Sequence, residues 1–215
     1  MKGKNLRHAK AVNKNKASGT RERILKVASE KFADEGFSGA RVDQIAAAAN
    51  TSKHMLYYHF GSKKGLYESV LDRAYSGIRF TESDIDIEHL DPVEALVSIV
   101  RKSFDYHCAH ETFVRLVMNE NIHRAKNISE QQIKVNRPVI LRLSNILEKG
   151  AKSDIFRSDI DPGQLHMTIS ALCFHYVSNK YSFAKLFEMD MQTSEAKLQR
   201  RDLVEDIVLR WVRLA

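Results

Sequence analysis

Apolar residues recur along most of this chain at helical spacing, and capping residues punctuate them. Ile24, Leu25, Val27, Ala28 and Phe32 share one broad arc at about 100° per residue. That arc predicts an amphipathic helix capped by Ser18 or Thr20 and stopped at Gly36. A short second pattern runs from Val42 to Ala49 with Ile45, Ala46 and Ala49 on one face. Asn50 tolerates a left-handed backbone and can turn the chain, and Ser52 can at once cap a third helix to about Tyr58. Two helices joined by so tight a turn form a helix-turn-helix. Gly61 punctuates again, and Ser62 opens a long fourth helix through Leu66, Val70, Leu71, Ala74 and Ile78.

The pattern stays helical beyond residue 80. The stretch 83–91 is acidic and aperiodic, and predicts a connector or a frayed helix end. Asp91-Pro92 places a cap before a proline at the first helical position, opening a helix with Val93, Leu96, Val97, Val100 and Phe104 on one stripe. A short helix is expected around Phe113–Asn121. Ser129 caps a long one with Ile133, Ile140, Leu143 and Leu147 in register; Pro138 predicts a kink or break inside it, and Gly150 its end. Asp161-Pro162-Gly163-Gln164 starts a helix to about Lys180, with Gln164 at the capping-box position. The last helix, from about Ser194 to Leu214, gathers Leu203, Val204, Ile207, Val208, Trp211 and Leu214 in half its circumference. That stripe is wider than packing on one neighbour requires.

Composition agrees with an all-α protein. Of 215 residues only 9 are Gly and 3 Pro, too few for the turns of a sandwich or barrel. Hydrophobic residues at 43% and charged residues at 28% argue against wholesale disorder. Cys108 and Cys173 are isolated and show no ligand spacing, which excludes a disulfide scaffold. No secretory signal and no apolar run of about 18 residues occurs, so the expected location is cytoplasmic, with no membrane partner.

Charge is unevenly distributed. Residues 1–64 hold 14 Lys/Arg against 5 Asp/Glu, whereas the remainder holds 20 against 22. This points to a module that meets a polyanion joined to one that does not, with duplex DNA as the leading partner and an anionic membrane as its competitor. Residues 1–17 carry six Lys/Arg and no acid, and are expected to form a flexible basic arm that either contacts phosphates or is simply solvated.

The segment Gly36–Tyr67, GFSGARVDQIAAAANTSKHMLYYHFGSKKGLY, resembles the DNA-binding domain of TetR-type (tetracycline-repressor family) transcription regulators. The shared core is Val42-Asp43-x-Ile45-Ala46, Ser52-Lys53, Leu56-Tyr57-Tyr58-His59-Phe60 and Ser62-Lys63. Arg41 stands where the family usually has Thr, Asn50 where it has Gly, and His54 where Gly is frequent. The resemblance implies that Lys53, His54, Met55 and Tyr57 approach bases, while Arg41, Tyr57, Tyr58, His59 and Lys63 approach the phosphate backbone or support the recognition helix; Ser52, the cap of that helix, is also expected among the DNA-binding residues. Phe60 is expected in the core.

The resemblance also implies residues 18–65 as a three-helix DNA-binding domain and 66–215 as a larger helical bundle for ligand binding and dimerisation. Its last two long helices would form a homodimer interface that includes Phe174, Val204, Ile207, Val208 and Trp211. Polar and aromatic residues gather on the inner helices of this bundle, and the effector pocket is expected among Phe104, His107, Phe113, Met118, Asn119, His123, Phe174, His175 and Asn179. Tyr106, His110, Arg124, His166, Met167 and Tyr176 stand beside them. His123 and Arg124 would suit an anionic effector. No GxSxG, Walker A, GxGxxG or HExxH signature occurs, so neither catalysis nor a cofactor nor a metal is expected. The expected function is a ligand-responsive repressor that binds a palindromic operator as a homodimer. Its stretch SKHMLYYHFGSKKGLY resembles that of catabolic-pathway repressors. The rival is an architectural DNA-binding protein, or an activator, without an effector.

Overall fold

The computed structural model describes residues 18–214. The basic arm expected at residues 1–17 lies outside them. Among the described residues there are ten helices and no strand apart from one isolated antiparallel bridge between Phe156 and Arg213. In chain order they are α1 (Lys2–Gly39, described from residue 18), α2 (Val42–Ala48), α3 (Lys53–Phe60), α4 (Lys63–Ser83), α5 (Pro92–Ala109), α6 (Glu111–Ile122), α7 (Glu130–Lys152), α8 (Pro162–Ser178), α9 (Lys180–Phe187) and α10 (Ser194–Val212). None is long and apolar enough to cross a membrane.

The chain divides into two compact units. The first comprises residues 1–73 together with 119–128, and the second residues 74–118 together with 129–215. Helices α4 and α6 each contribute residues to both. The expected boundary at 65/66 therefore differs from the observed division in one respect that matters: a distant segment completes the first unit.

In the first unit, Ile24, Leu25, Ala28 and Phe32 of α1 are buried together with Ile45 and Ala46 of α2, Leu56 and Phe60 of α3, and Leu66, Val70 and Leu71 of α4. Each of these Leu, Ile, Val and Phe side chains removed from water contributes about 1.5–3 kcal/mol. Ser18 and Thr20 are helical rather than capping, and the Thr20 hydroxyl instead accepts from Arg23 Nη2 at 3.2 Å. Gly36 does interrupt the helix, at φ 68°. Asn119 Nδ2 donates to the carbonyl of Ala33 at 3.0 Å just before that break, and a Cβ on Gly36 would stand 3.3 Å from Asn119 Oδ1.

In the second unit α5 packs against α7, α8 and α10, around a core of Leu96, Val100, Phe104, Leu143, Leu165, Ile169 and Val208. The expected caps form. Asp91 accepts from the Val93 and Glu94 amides, Ser129 and Gln132 close a capping box, and Asp161 accepts from the Gln164 amide. Along α7, no break forms at Pro138, and the end, at Lys152, lies two residues beyond the expected Gly150. Gly150 is there for packing: a Cβ on it would lie 2.1 Å from the Phe156 ring, and its carbonyl accepts from the Ile155 and Phe156 amides. Helix α8 stops at Ser178, close to the expected end, and α9, which the sequence pattern did not show, follows across Asn179.

Candidate nucleic-acid interface and effector unit

The turn between α2 and α3 is built as its residues dictate. Ala49 ends α2, Asn50 takes φ 50°, and the Ser52 hydroxyl accepts from the Met55 amide at 3.2 Å. The guanidinium of Arg23 donates to the Ala49 carbonyl at 3.4 Å and ties the turn to α1. Helix α3 buries Leu56 and Phe60, which fixes its rotation. Its opposite side then exposes Lys53, His54, Tyr57 and Tyr58, with Tyr57 at 44% and Tyr58 at 73%. Met55 is half-buried. A tyrosine ring left three-quarters exposed on a short helix contributes little to the fold.

Cations flank this face. Arg41 forks onto Asp43 at 3.3 and 3.0 Å, and Lys53 Nζ lies 4.0 Å from the same carboxylate. The Arg41 hydrogen bond, with the charges of Arg41 and Lys53 behind it, holds the Asp43 carboxyl below the usual carboxylate range. Asp43 is a positioning partner that sequence reasoning passed over, although it stands inside the quoted motif. Lys63 Nζ donates to the Ser38 carbonyl at 3.3 Å and sits 5.0 Å over the Phe37 ring, at the end of α1. His59 is half-buried, edge-on to Tyr58 at 5.3 Å, with its Nε2 enclosed and without a partner. Phe60 is in the core as expected, with Arg21 5.2 Å above its ring.

The residues expected around an effector do not gather in one place. Phe104, His107 and Phe113 are buried together in the second unit, and Phe174 stands edge-on to His107 at 6.2 Å. Met118 is exposed. Asn119 belongs to the first unit, where it clamps α1, and is corrected to a structural role. His123 and Arg124 are exposed in the same 119–128 segment, Arg124 with φ 60°. His175 lines a cavity of about 370 Å³ between α8, α9 and α10 with Tyr176, Phe183, Met191, Arg200 and Leu203. Asn179 is the junction residue between α8 and α9. Phe104 borders a separate cavity of about 440 Å³ between α5 and α10, where burial pushes the Cys108 thiol up to about 11.

Inside the second unit lies a charged group that periodicity could not show. Glu82 is 3% exposed and pairs with Arg79 Nη1, which also lies 3.3 Å from His166 Nε2. A guanidinium only donates, so that imidazole nitrogen accepts and the ring is neutral. Burial, and then the Arg79 charge, depress the His166 pKa to about 4. His107, lowered chiefly by burial, places Nδ1 2.6 Å from the Ser103 carbonyl, which requires the proton on Nδ1. Arg79 and Glu82 are one turn apart and would pass in a sequence for an ordinary surface pair.

Of the expected interface residues on α10, Val204 and Val208 are fully buried in the protomer core, because they face α5 and α8. Leu203 and Ile207 keep 47% and 38% of their surface exposed. The wide stripe thus closes the core with one half and leaves the other half outside.

A capped helix after a left-handed turn, exposing cations and tyrosines from a three-helix core, defines a helix-turn-helix DNA-reading module. Residues 24–70 match the family model described as bacterial regulatory proteins, tetR family, and residues 92–208 that of the tetracyclin repressor-like C-terminal domain. The HTH-type transcriptional repressor NicS of Pseudomonas putida is 32% identical over 211 residues, spanning 94% of this chain and 96% of NicS. The transcriptional regulator SCO4942 of Streptomyces coelicolor has a similar structure, with a TM-score of 0.69 at 25% identity over 90% of this chain and 98% of its own. AibR, solved with isovaleryl coenzyme A and operator DNA, shares the fold at TM-score 0.66 and 16% identity, over 87% of this chain and 97% of its own. The chain belongs to the TetR family of DNA-binding transcriptional regulators.

Proposed function

We propose that this protein represses a catabolic operon by binding a palindromic operator as a homodimer, and that a small-molecule effector held in the second unit releases it. The observation that carries the reading is the exposed face of α3. Lys53, His54, Met55 and Tyr57 are the residues that meet base edges, while Arg41, Ser52, Tyr58, His59 and Lys63 hold or orient the helix against phosphates.

Pairing follows from reach. One eight-residue helix covers few base pairs, so specificity at cellular salt calls for two copies about one DNA turn or more apart. The exposed Leu203 and Ile207 of α10, with half-buried Phe174 and Trp211, offer the apolar surface for that twofold contact. The name of NicS and the ligand and operator bound to AibR support repression and ligand response. Release requires that the effector bind better to a conformation with mis-spaced recognition helices, and α4 and α6, each with residues in both units, are the elements to transmit it.

The test is selection of bound sequences from random duplex DNA, with molar mass measured on the complex. The expected result is a palindrome bound by two chains. A monomer on the recovered site, or equal retention of all sequences, overturns the reading.

A further inference from the structure

The charged group in the second unit has an imbalance. Arg79 and Glu82 from α4, Arg142 from α7 and His166 from α8 meet inside a region otherwise filled by apolar side chains. Among the described residues, Glu82 is the carboxylate set against two guanidinium groups, and both imidazoles nearby, His107 and His166, are held toward the neutral form, chiefly by burial. The cluster therefore keeps one positive charge in excess. Donors are in excess as well. Arg79 uses Nη1 on Glu82 and His166, and Arg142 uses Nη2 on the Ile85 carbonyl at 2.5 Å, but the Nε–H of each is enclosed and meets no acceptor. Leaving buried charged donors without acceptors is costly, and such groups are found where something binds.

What would balance the cluster is one negative charge spread over two acceptor oxygens, held at two forked cations. A carboxylate has that charge and that number of acceptors. The neighbours specify what it is attached to: Phe113 and Phe174 stand edge-on to the His107 ring at 5.6 and 6.2 Å, so the body beside the anionic head is apolar. We propose that the effector is a small monocarboxylate on an apolar body, its head seated at Arg79 and Arg142. This rests on the effector reading above, and moves the expected anion site from exposed His123 and Arg124 to the half-buried Arg79 and Arg142.

The test uses the full-length protein and two matched pairs of probes, benzoate with benzamide and hexanoate with hexanamide, plus inorganic phosphate, all at equal ionic strength. Thermal shift and calorimetric titration read binding; operator anisotropy is read in parallel. At least one carboxylate should raise the Tm while its amide and phosphate do not, and Arg142→Gln should weaken that carboxylate at least tenfold, with Arg142→Lys weakening it less. Arg79→Gln combined with Glu82→Gln, which preserves the charge balance when the pair is removed, should also weaken it. No carboxylate-over-amide preference in either pair, stabilisation by phosphate alone, or full affinity in Arg142→Gln overturns the proposal. Carboxylate binding that leaves operator affinity unchanged keeps the anion site and removes its effector role. Operator release by the amides keeps ligand response and overturns the carboxylate.

Discussion

The Tyr67 hydroxyl donates to Glu120 Oε1 at 2.7 Å, with both residues almost fully buried. Glu120 also accepts from the Asn127 amide at 3.2 Å and from Asn127 Nδ2 at 2.9 Å. A carboxylate can be buried when its oxygens are met by donors, and here they are supplied by α4 on one side and by the 119–128 segment on the other. Tyr67→Phe should destabilise the protein by about 1–3 kcal/mol in urea denaturation. Glu120→Gln, which keeps an acceptor for the phenol, should cost less than Glu120→Ala. Equal stability of wild type and Tyr67→Phe would remove this bond from the forces holding the first unit together.

The DNA-facing residues separate into two kinds with different readouts. Lys63→Ala should weaken binding to all duplexes alike and reduce the slope of log affinity against log salt by about 1. Tyr58→Ala should lower operator affinity while leaving the denaturation midpoint in place, since its ring is 73% exposed. His54→Ala should leave the salt slope unchanged and relax base preference by about 1–3 kcal/mol at the position it meets. A uniform loss for His54→Ala, across scrambled and selected duplexes, would place it on the phosphates instead.

Gly150 offers a packing test. A Cβ there would overlap the Phe156 ring, which is 1% exposed and cannot move outward without opening the core. Gly150→Ala should therefore cost about 1–3 kcal/mol, although alanine is the better helix former. The double variant with Phe156→Leu should recover part of that loss; additive losses would show that the glycine serves something other than this contact.

Stability should fall on mild acidification. His166 is depressed to about 4 in the folded chain, by burial first and the Arg79 charge second, whereas the unfolded ring titrates near about 6.5. Its contribution is fully present above about pH 6.5 and is lost as pH falls toward about 4, amounting to about 1–3 kcal/mol. Burial raises the Glu82 carboxyl, so protonating it favours the folded form and works against this trend. Comparison with His166→Gln isolates the imidazole: the variant should lose less stability than wild type from about pH 7 to about pH 4. Identical acid profiles would contradict the assignment of His166 as a half-buried neutral acceptor.

Local signals were legible in the sequence because each is complete within a few residues. Asn50 in a left-handed turn, the caps at Ser52, Asp91, Ser129 and Asp161, and the stop at Gly36 all depend on neighbours in the chain. What periodicity cannot report is the partner of a helix face. Asn119 and Glu120 belong to a helical pattern that continues from Phe113, so nothing local separates the residues that serve the first unit. The stripe on α10 is equally visible at Val204 and Leu203, yet only the first faces α5 and α8. Helix α9 does not stand out in the sequence because its eight residues are too few to establish a helical period. Arg79 and Glu82 were passed over for the opposite reason, since their spacing is that of countless solvated pairs.

The clamp of Asn119 on the Ala33 carbonyl has a consequence for how this regulator comes into being. A polypeptide ending at Arg73 would contain every residue of the recognition helix and still lack the amide that holds the end of α1 and the carboxylate that receives the Tyr67 phenol. The reading head is thus finished only after the ribosome has passed residue 128, with about a third of the second unit already made.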